Sequence, residues 1–137
     1  MKGDFQSFHT LCPNEANTET KCIINFNEFN FPRGEYFLLE SYCNDKNCDC
    51  RKVMINIVSK DEVFATIGFG WEDLKFYEKW IGDKKIAVEM KGPSLELGGM
   101  QSKYAIAFLN CLKESLLKDS GYINRLKKHY KLFKKRL

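Results

Sequence analysis

The chain has 137 residues, of which 44% are hydrophobic and 29% are charged, and its formal net charge is +4 at pH 7. This length and composition are typical of one folded domain and exclude an intrinsically disordered chain. No apolar run approaches the ~20 residues that a membrane-spanning helix requires, so we expect no membrane segment. The N-terminal residues have no apolar signal region, so we expect a cytoplasmic protein in a reducing compartment.

The chain divides into an N-terminal arm and one domain. Residues 1–21 are polar, include a proline and show no sustained periodicity, so we predict a loop or weakly ordered arm there. Residues 22–137 are predicted to form a single α+β domain.

Four strands are predicted in succession from residue 22. The stretch CIINFNEFNF (22–31) alternates apolar and polar residues with one phase slip, which indicates a strand with a bulge. The sequence PRG (32–34) is typical of a tight turn, and EYFLLESYC (35–43) follows as the second strand. RKVMINIVSK (51–60) and DEVFATIGFGW (61–71) provide the third and fourth strands. Because the connections are short, we predict an antiparallel β-meander of about four strands.

The helices are predicted after the strands. EDLKFYEKWIG (72–82) indicates a short helix that ends at a glycine, and GPSLELGG (92–99) indicates irregular structure. QSKYAIAFLNCLKESLLK (101–118) has helical spacing of its apolar residues, and an amphipathic helix follows from Tyr122. Strands followed by helices favour an α+β fold in which the C-terminal helices cover one face of the sheet.

Half of the six cysteines lie in the stretch YCNDKNCDCRK (42–52). Cys43 ends the second predicted strand, Cys50 opens the third, and Cys48 lies in the short polar loop that joins them. Such a hairpin can bring three thiolates to one point, and thiolate ligands favour zinc. We therefore predict a zinc site, with free or redox-active thiols and a disulfide as the alternatives.

A structural zinc site is tetrahedral, so three cysteines need a fourth ligand. If the turn at 32–34 closes the first hairpin, Cys22 reaches the same end of the sheet as Cys43, and we predict Cys22 as that ligand. Cys12 and His9 in the arm and His129 in the last helix are the alternatives. The remaining cysteine, Cys111, lies on an apolar helix face and is predicted to pack in the core.

No catalytic or cofactor-binding residue is assigned. The G-x-G of IGFGW (67–71) lacks the third glycine of a dinucleotide-binding turn and is predicted to be a tight strand exit. The only histidines are His9 and His129, and no Ser/His/Asp or Cys/His pattern with a local motif is present.

The C-terminal helix is strongly basic, since the last 13 residues contain seven Lys or Arg and no Asp or Glu. The surface could be a solvated helix face or a binding surface for nucleic acid or an acidic partner. The seven residues are Arg125, Lys127, Lys128, Lys131, Lys134, Lys135 and Arg136.

Four stretches in order, FPRGEYFLLESYCNDKNCDCRKV, ATIGFGW, KGPSLEL and YINRLKKHYKLFKK, resemble a family of uncharacterised bacterial proteins. The shared patterns are FP-x-G-x-Y, YC-x4-CDCR and RLK-x-HY-x-LF, which cover roughly residues 31–134. The resemblance implies a recurrent compact domain and no particular activity. It includes His129 but does not extend to Cys12 or Cys22.

The sequence therefore predicts a small zinc-stabilised α+β domain that acts as a binding or adaptor module, and its unknown partner could be a protein. The first alternative is a metal- or thiol-dependent enzyme that uses Cys43, Cys48 and Cys50. The second is a nucleic-acid-associated protein that uses the basic helix 122–137.

Overall fold

The computed structural model describes residues 4–137 and shows a mixed α+β fold, as predicted. The strands of these residues are β1 (Phe5–Ser7), β2 (Lys21–Asn25), β3 (Gly34–Cys43), β4 (Lys52–Ser59), β5 (Glu62–Gly70) and β6 (Ser94–Leu95). The helices are α1 (Pro13–Glu19), α2 (Leu74–Ile81), α3 (Lys84–Lys91), α4 (Ala105–Glu114) and α5 (Ser120–Lys135). Within this range no helix is both long enough and apolar enough to cross a membrane.

All strand pairs are antiparallel, and the strand order across the sheet is β1-β3-β4-β5-β6. Strand β2 pairs with the same edge of β3 as β1 does, but at the opposite end of β3. The β3–β4–β5 meander is the predicted one. Its second hairpin turns at Lys60 and Asp61, whose φ angles of 48° and 63° are those of a two-residue type I′ turn.

Helices α4 and α5 cover one face of the sheet, as predicted. The inward-facing strand residues are Tyr36, Leu38, Tyr42, Val53, Ile55, Ile57, Ala65, Ile67 and Phe69, and they pack against Phe108, Leu112, Leu126 and Phe133 of the two helices. The other face is partly covered as well, because α2 places Tyr77 against Gly70 and the loop after β6 places Gly99 against Thr66. Alternation along β5 puts Thr66 and Gly70 on the face opposite Ile67.

Residues 4–21 differ from the predicted loop or weakly ordered arm. Phe8 and Cys12 are 3% and 0% exposed, β1 pairs with the end of β3, and α1 follows. These elements have three to seven residues, which is too short for a periodic pattern, and they are stabilised by tertiary contacts. Residues 1–3 of the predicted arm lie outside the described residues.

The hairpin formed by β2 and β3 also differs from the prediction. Strand β2 ends at Asn25, so the connection spans residues 26–33 instead of a tight turn at 32–34. The buried Asn25 side chain organises this loop, because its Nδ2 donates to the carbonyl oxygen of Phe31 at 2.7 Å and its Oδ1 accepts from the N–H of Phe29 at 3.2 Å. Phe31 then stacks on Phe108 of α4 with ring centroids 3.8 Å apart. The apolar residues that suggested a longer strand therefore belong to a loop, in which Phe31 is buried in the core, Phe29 packs against it and Phe26 is exposed.

Candidate metal centre

The structure brings Cys43, Cys48 and Cys50 together. Their ligand atoms all lie within 4.8 Å of one another; Cys43 and Cys50 are fully buried, and Cys48 is partly exposed. Cys43 is the last residue of β3, and Cys50 lies two residues before β4 begins. The prediction that the hairpin loop gathers the three thiols is thus supported by their geometry, and the group could hold a metal ion.

The loop between the strands folds Cys48 back toward the other two. The N–H of Cys48 donates to the carbonyl oxygen of Asp45 at 3.1 Å, which closes a turn. The Oδ1 of Asp45 accepts from the N–H of Asn47 at 2.9 Å, as in an Asx turn. Local side-chain and backbone bonds therefore bring the middle cysteine to the mouth of the hairpin.

Side chains of helix α5 form hydrogen bonds with this loop. The ammonium of Lys134 donates to the carbonyl oxygens of Cys43 and Asp45, both at 2.8 Å. The hydroxyl of Tyr130 donates to Oδ1 of Asp49 at 3.0 Å and accepts from the N–H of Arg51 at 3.3 Å. The cysteine loop is thus tied to the end of the helix before any metal binds.

Arg51 adopts the left-handed conformation, with φ 48°, directly after Cys50. This conformation is uncommon for a residue other than glycine and is retained only where the surroundings hold it. The guanidinium forms ion pairs with Asp49 at 2.9 Å and Glu72 at 3.1 Å and lies 4.7 Å from the ring centroid of Phe76. The side chain therefore anchors the end of the loop to the segment after β5.

The electrostatics of the group favour thiols when no metal is bound. Burial raises the pKa of Cys48, and burial raises the pKa of Cys50 to about 12, while the nearby Lys134 ammonium opposes both shifts. A divalent cation would have to displace these protons, because the thiolate is the ligand. Three thiolates and one divalent ion carry a net charge of −1, which Lys134 would offset.

The structure does not bring Cys22 to this group, contrary to the prediction of Cys22 as the fourth ligand. Cys22 lies opposite Phe37, six residues along β3 from Cys43, which corresponds to about 20 Å along the strand. The predicted register depended on a tight turn at 32–34, and the longer loop shifts every pairing of β2.

The alternative fourth ligands lie elsewhere. His129 uses both ring nitrogens, at 2.7 Å from Glu40 and 3.0 Å from Glu19. Cys12 is buried at the start of α1, and His9 is exposed in the turn before it. Across residues 4–137, only Cys43, Cys48 and Cys50 form a ligand group close enough for one metal ion. Three protein ligands leave one position of a tetrahedral ion for water or an added ligand.

Sequence reasoning missed a second polar cluster, formed by Glu19, Glu40 and His129. The sequence contains one signal for it: Glu40 occupies the inward phase of β3 between Leu38 and Tyr42. Nothing in the sequence marks Glu19, since it is 110 residues from His129.

Four of the seven basic C-terminal residues contact the protein itself. Arg125 donates to the carbonyl oxygen of Glu19, Lys128 pairs with Glu19, and Arg136 forms two bonds with Glu15. The fourth is Lys134, described above. These four side chains help to hold α1 and the cysteine loop, and the nucleic-acid surface stays a prediction.

Comparison with protein-family models, with curated proteins and with solved structures found no match. The fold and the three-cysteine group are thus the features from which function is inferred, and the family resemblance of the sequence patterns stays a prediction.

Proposed function

We propose that this protein is a small zinc-binding domain that acts as a binding or adaptor module. The observation that carries the proposal is the convergence of Cys43, Cys48 and Cys50, with ligand atoms within 4.8 Å, in a loop held by α5. Zinc fits this group because thiolates bind it well and because it requires only a tetrahedral arrangement.

The metal would stabilise a part of the fold that has no regular structure. Residues 44–51 form no strand or helix, and they connect β3 and β4 of the meander. A metal bound by the folded loop and not by the unfolded chain adds its binding free energy to folding. The site then fixes the positions of Asp49 and Arg51, which lie at the surface beside it.

Exposed apolar side chains support the binding role. Leu97 is 91% exposed, and Ile24, Phe26 and Met100 are each more than half exposed. They lie at two places, with Ile24 and Phe26 at the β2 edge of the sheet and Leu97 and Met100 after β6 at the opposite edge. Each pair is a small apolar area of the kind that a protein partner can cover. An enzyme that used the same cysteines would need a base at the open position, and His129 is bound to two carboxylates instead.

Elemental analysis of untagged protein purified under reducing conditions tests the proposal. We expect about one zinc per chain, as for a mononuclear site. Separate Cys43→Ser, Cys48→Ser and Cys50→Ser variants should lose most of the metal. Cys22→Ser and Cys111→Ser are matched controls and should keep it. Metal-free wild-type protein that also fails to take up added zinc would overturn the proposal.

A further inference from the structure

A charged cleft of about 420 Å³ lies beside the cysteine loop. Its walls come from three parts of the chain: the end of the cysteine loop, the two residues after β5, and one face of α5. The lining residues are Asp49, Arg51, Trp71, Glu72, Lys127, Tyr130 and Lys131. The volume falls in the lower part of the range for small-molecule sites, about 300–1,000 Å³.

Hydrogen bonds join the three walls. The N–H of Trp71 donates to the carbonyl oxygen of Arg51 at 3.3 Å, and the Tyr130 hydroxyl bonds with both Asp49 and Arg51. The hydroxyl of Tyr77, a residue that does not line the cleft, donates to the same carbonyl oxygen of Arg51 at 2.8 Å. Hydrogen bonds within the protein therefore hold the three walls of the cleft together.

The charges of the cleft leave an excess of positive charge. Arg51 pairs with both Asp49 and Glu72, so these three side chains together carry one negative charge, and the two lysines of the cleft exceed it. Lys127 and Lys131 lie one turn apart on α5, and neither forms an ion pair with any residue of the range 4–137. Two adjacent ammonium groups in a concave site attract an anion.

The cleft also has an aromatic wall. Trp71 is partly exposed and meets Tyr130 edge to face, with ring centroids 5.1 Å apart at 78°. This contact fixes the indole and leaves apolar ring surface toward the cleft, where a planar group can stack.

We propose that this cleft binds a small ligand that carries a phosphate or carboxylate group on a planar ring. Lys127 and Lys131 bind the anionic group, and the ring lies against Trp71. The ion pair of Arg51 and Asp49 forms the floor of the cleft. It selects against a ligand that carries a second charged group next to this floor. This role is separate from metal binding, although a metal in the neighbouring loop would hold the floor in place.

The test is a titration of the full chain with adenosine 5′-monophosphate, benzoate and inorganic phosphate, followed by NMR. The chain has two tryptophans, so Trp80→Phe assigns the indole N–H signal of Trp71. We expect saturable shifts of that signal with at least one ring-bearing anion and weaker binding at high salt. Binding by adenosine 5′-monophosphate alone identifies the phosphate, and binding by benzoate alone identifies the carboxylate.

Matched variants separate the cleft from general charge. Lys127→Ala/Lys131→Ala should weaken binding about tenfold or more, because both cations face the anion. Lys113→Ala/Lys118→Ala removes the same charge from exposed positions in and just after α4 and should leave binding unchanged. Equal weakening by both pairs, equal affinity for inorganic phosphate, or no saturable shift with any probe would overturn the inference. Zinc content measured on the same samples tests the metal proposal independently.

Discussion

His129 on α5 and Glu40 on β3 form a buried contact, with 2.7 Å between Nδ1 and Oε1 and side chains that are 1% and 3% exposed. The other ring nitrogen of His129 lies 3.0 Å from Oε1 of Glu19 on α1. Tyr42 donates its hydroxyl to the same oxygen of Glu40 at 2.6 Å, and Phe8 stacks on the imidazole with centroids 4.3 Å apart. One imidazole thus links α1, β3 and α5.

The first prediction concerns the pH dependence of stability. Burial lowers the pKa of His129, but the carboxylates of Glu40 and Glu19 outweigh it and raise the pKa above its ordinary value. A histidine in the unfolded chain titrates near ~6.5. The stabilisation by the charged imidazole is therefore fully present below that pH, and it is lost as the pH rises through the higher pKa of the folded state. We expect the free energy of unfolding to fall with rising pH above ~6.5 in the wild type, as measured by urea unfolding.

The control for this pH dependence of the unfolding free energy is the double variant His129→Gln/Glu40→Gln. It removes the imidazole, and it also removes the Glu40 carboxylate, which would otherwise be buried without its partner. Its free energy of unfolding should fall less over the same pH range. His9→Gln removes the other histidine and should keep the wild-type slope. An equal slope in the double variant would contradict the assignment. The charged or titratable groups around the imidazole are Glu40, Tyr42, Glu19, Glu15, Lys128 and Arg136.

The second prediction ranks the two carboxylates. Glu40→Gln removes the buried partner of a charged imidazole, and we expect a loss of ~3 kcal/mol or more of unfolding free energy. Glu19 is 27% exposed, so Glu19→Gln should cost less, about 1 kcal/mol. Urea unfolding near pH 6 measures both variants. A larger loss for Glu19→Gln would mean that the contact with α1, not the buried pair, dominates.

The α+β class and the β3–β4–β5 meander could be predicted because alternation and turn residues act over short distances. The β2 register could not, because the loop around Asn25 has the same alternation of apolar and polar residues as a strand. The three clustered cysteines were found for the same local reason, whereas Cys22 failed as a ligand with the register on which it depended. The pairing of His129 with Glu40 and Glu19 is set by tertiary packing, which one sequence does not specify.

The third prediction compares two buried tyrosine hydroxyls. The hydroxyl of Tyr122 is buried and has no hydrogen-bond partner within the described residues, while that of Tyr42 bonds with Glu40 and with the carbonyl oxygen of Leu126. Tyr122→Phe should therefore raise the free energy of unfolding by about 1 kcal/mol, since it removes an unpaired polar group. Tyr42→Phe should lower it by about 1–2 kcal/mol, since it removes a buried hydrogen bond to the Glu40 carboxylate. Chemical unfolding of the two variants side by side checks the opposite signs.

The fourth prediction concerns the glycines of the IGFGW stretch. A Cβ on Gly70 would lie 2.2 Å from the Tyr77 hydroxyl, which is fixed by its bond to Arg51. A Cβ on Gly68 would lie 2.2 Å from the Glu96 carboxylate, which is the end of a flexible side chain. Gly70→Ala should therefore destabilise the protein by about 1–3 kcal/mol, and Gly68→Ala by less. Thermal unfolding of both variants would contradict this account if Gly68→Ala were the more damaging.

The last prediction uses proton release to count the thiols that bind metal. An ordinary thiol titrates near ~8.5, and burial raises the pKa of Cys48 and Cys50, so all but a small fraction of these two is protonated at pH 7. Each must lose its proton to become a ligand, and we expect at least two protons released per zinc when both bind.

Titration calorimetry in buffers of different ionisation enthalpy measures that number on metal-free, reduced protein. Cys48→Ser should release about one proton fewer than the wild type and bind zinc more weakly, because a serine hydroxyl does not become a thiolate ligand. Cys22→Ser should behave as the wild type, because β2 places Cys22 far from the group. Binding without proton release would show that the metal is held by carboxylates elsewhere, and the loss of a proton in Cys22→Ser would show that the strand register in solution brings Cys22 into the site.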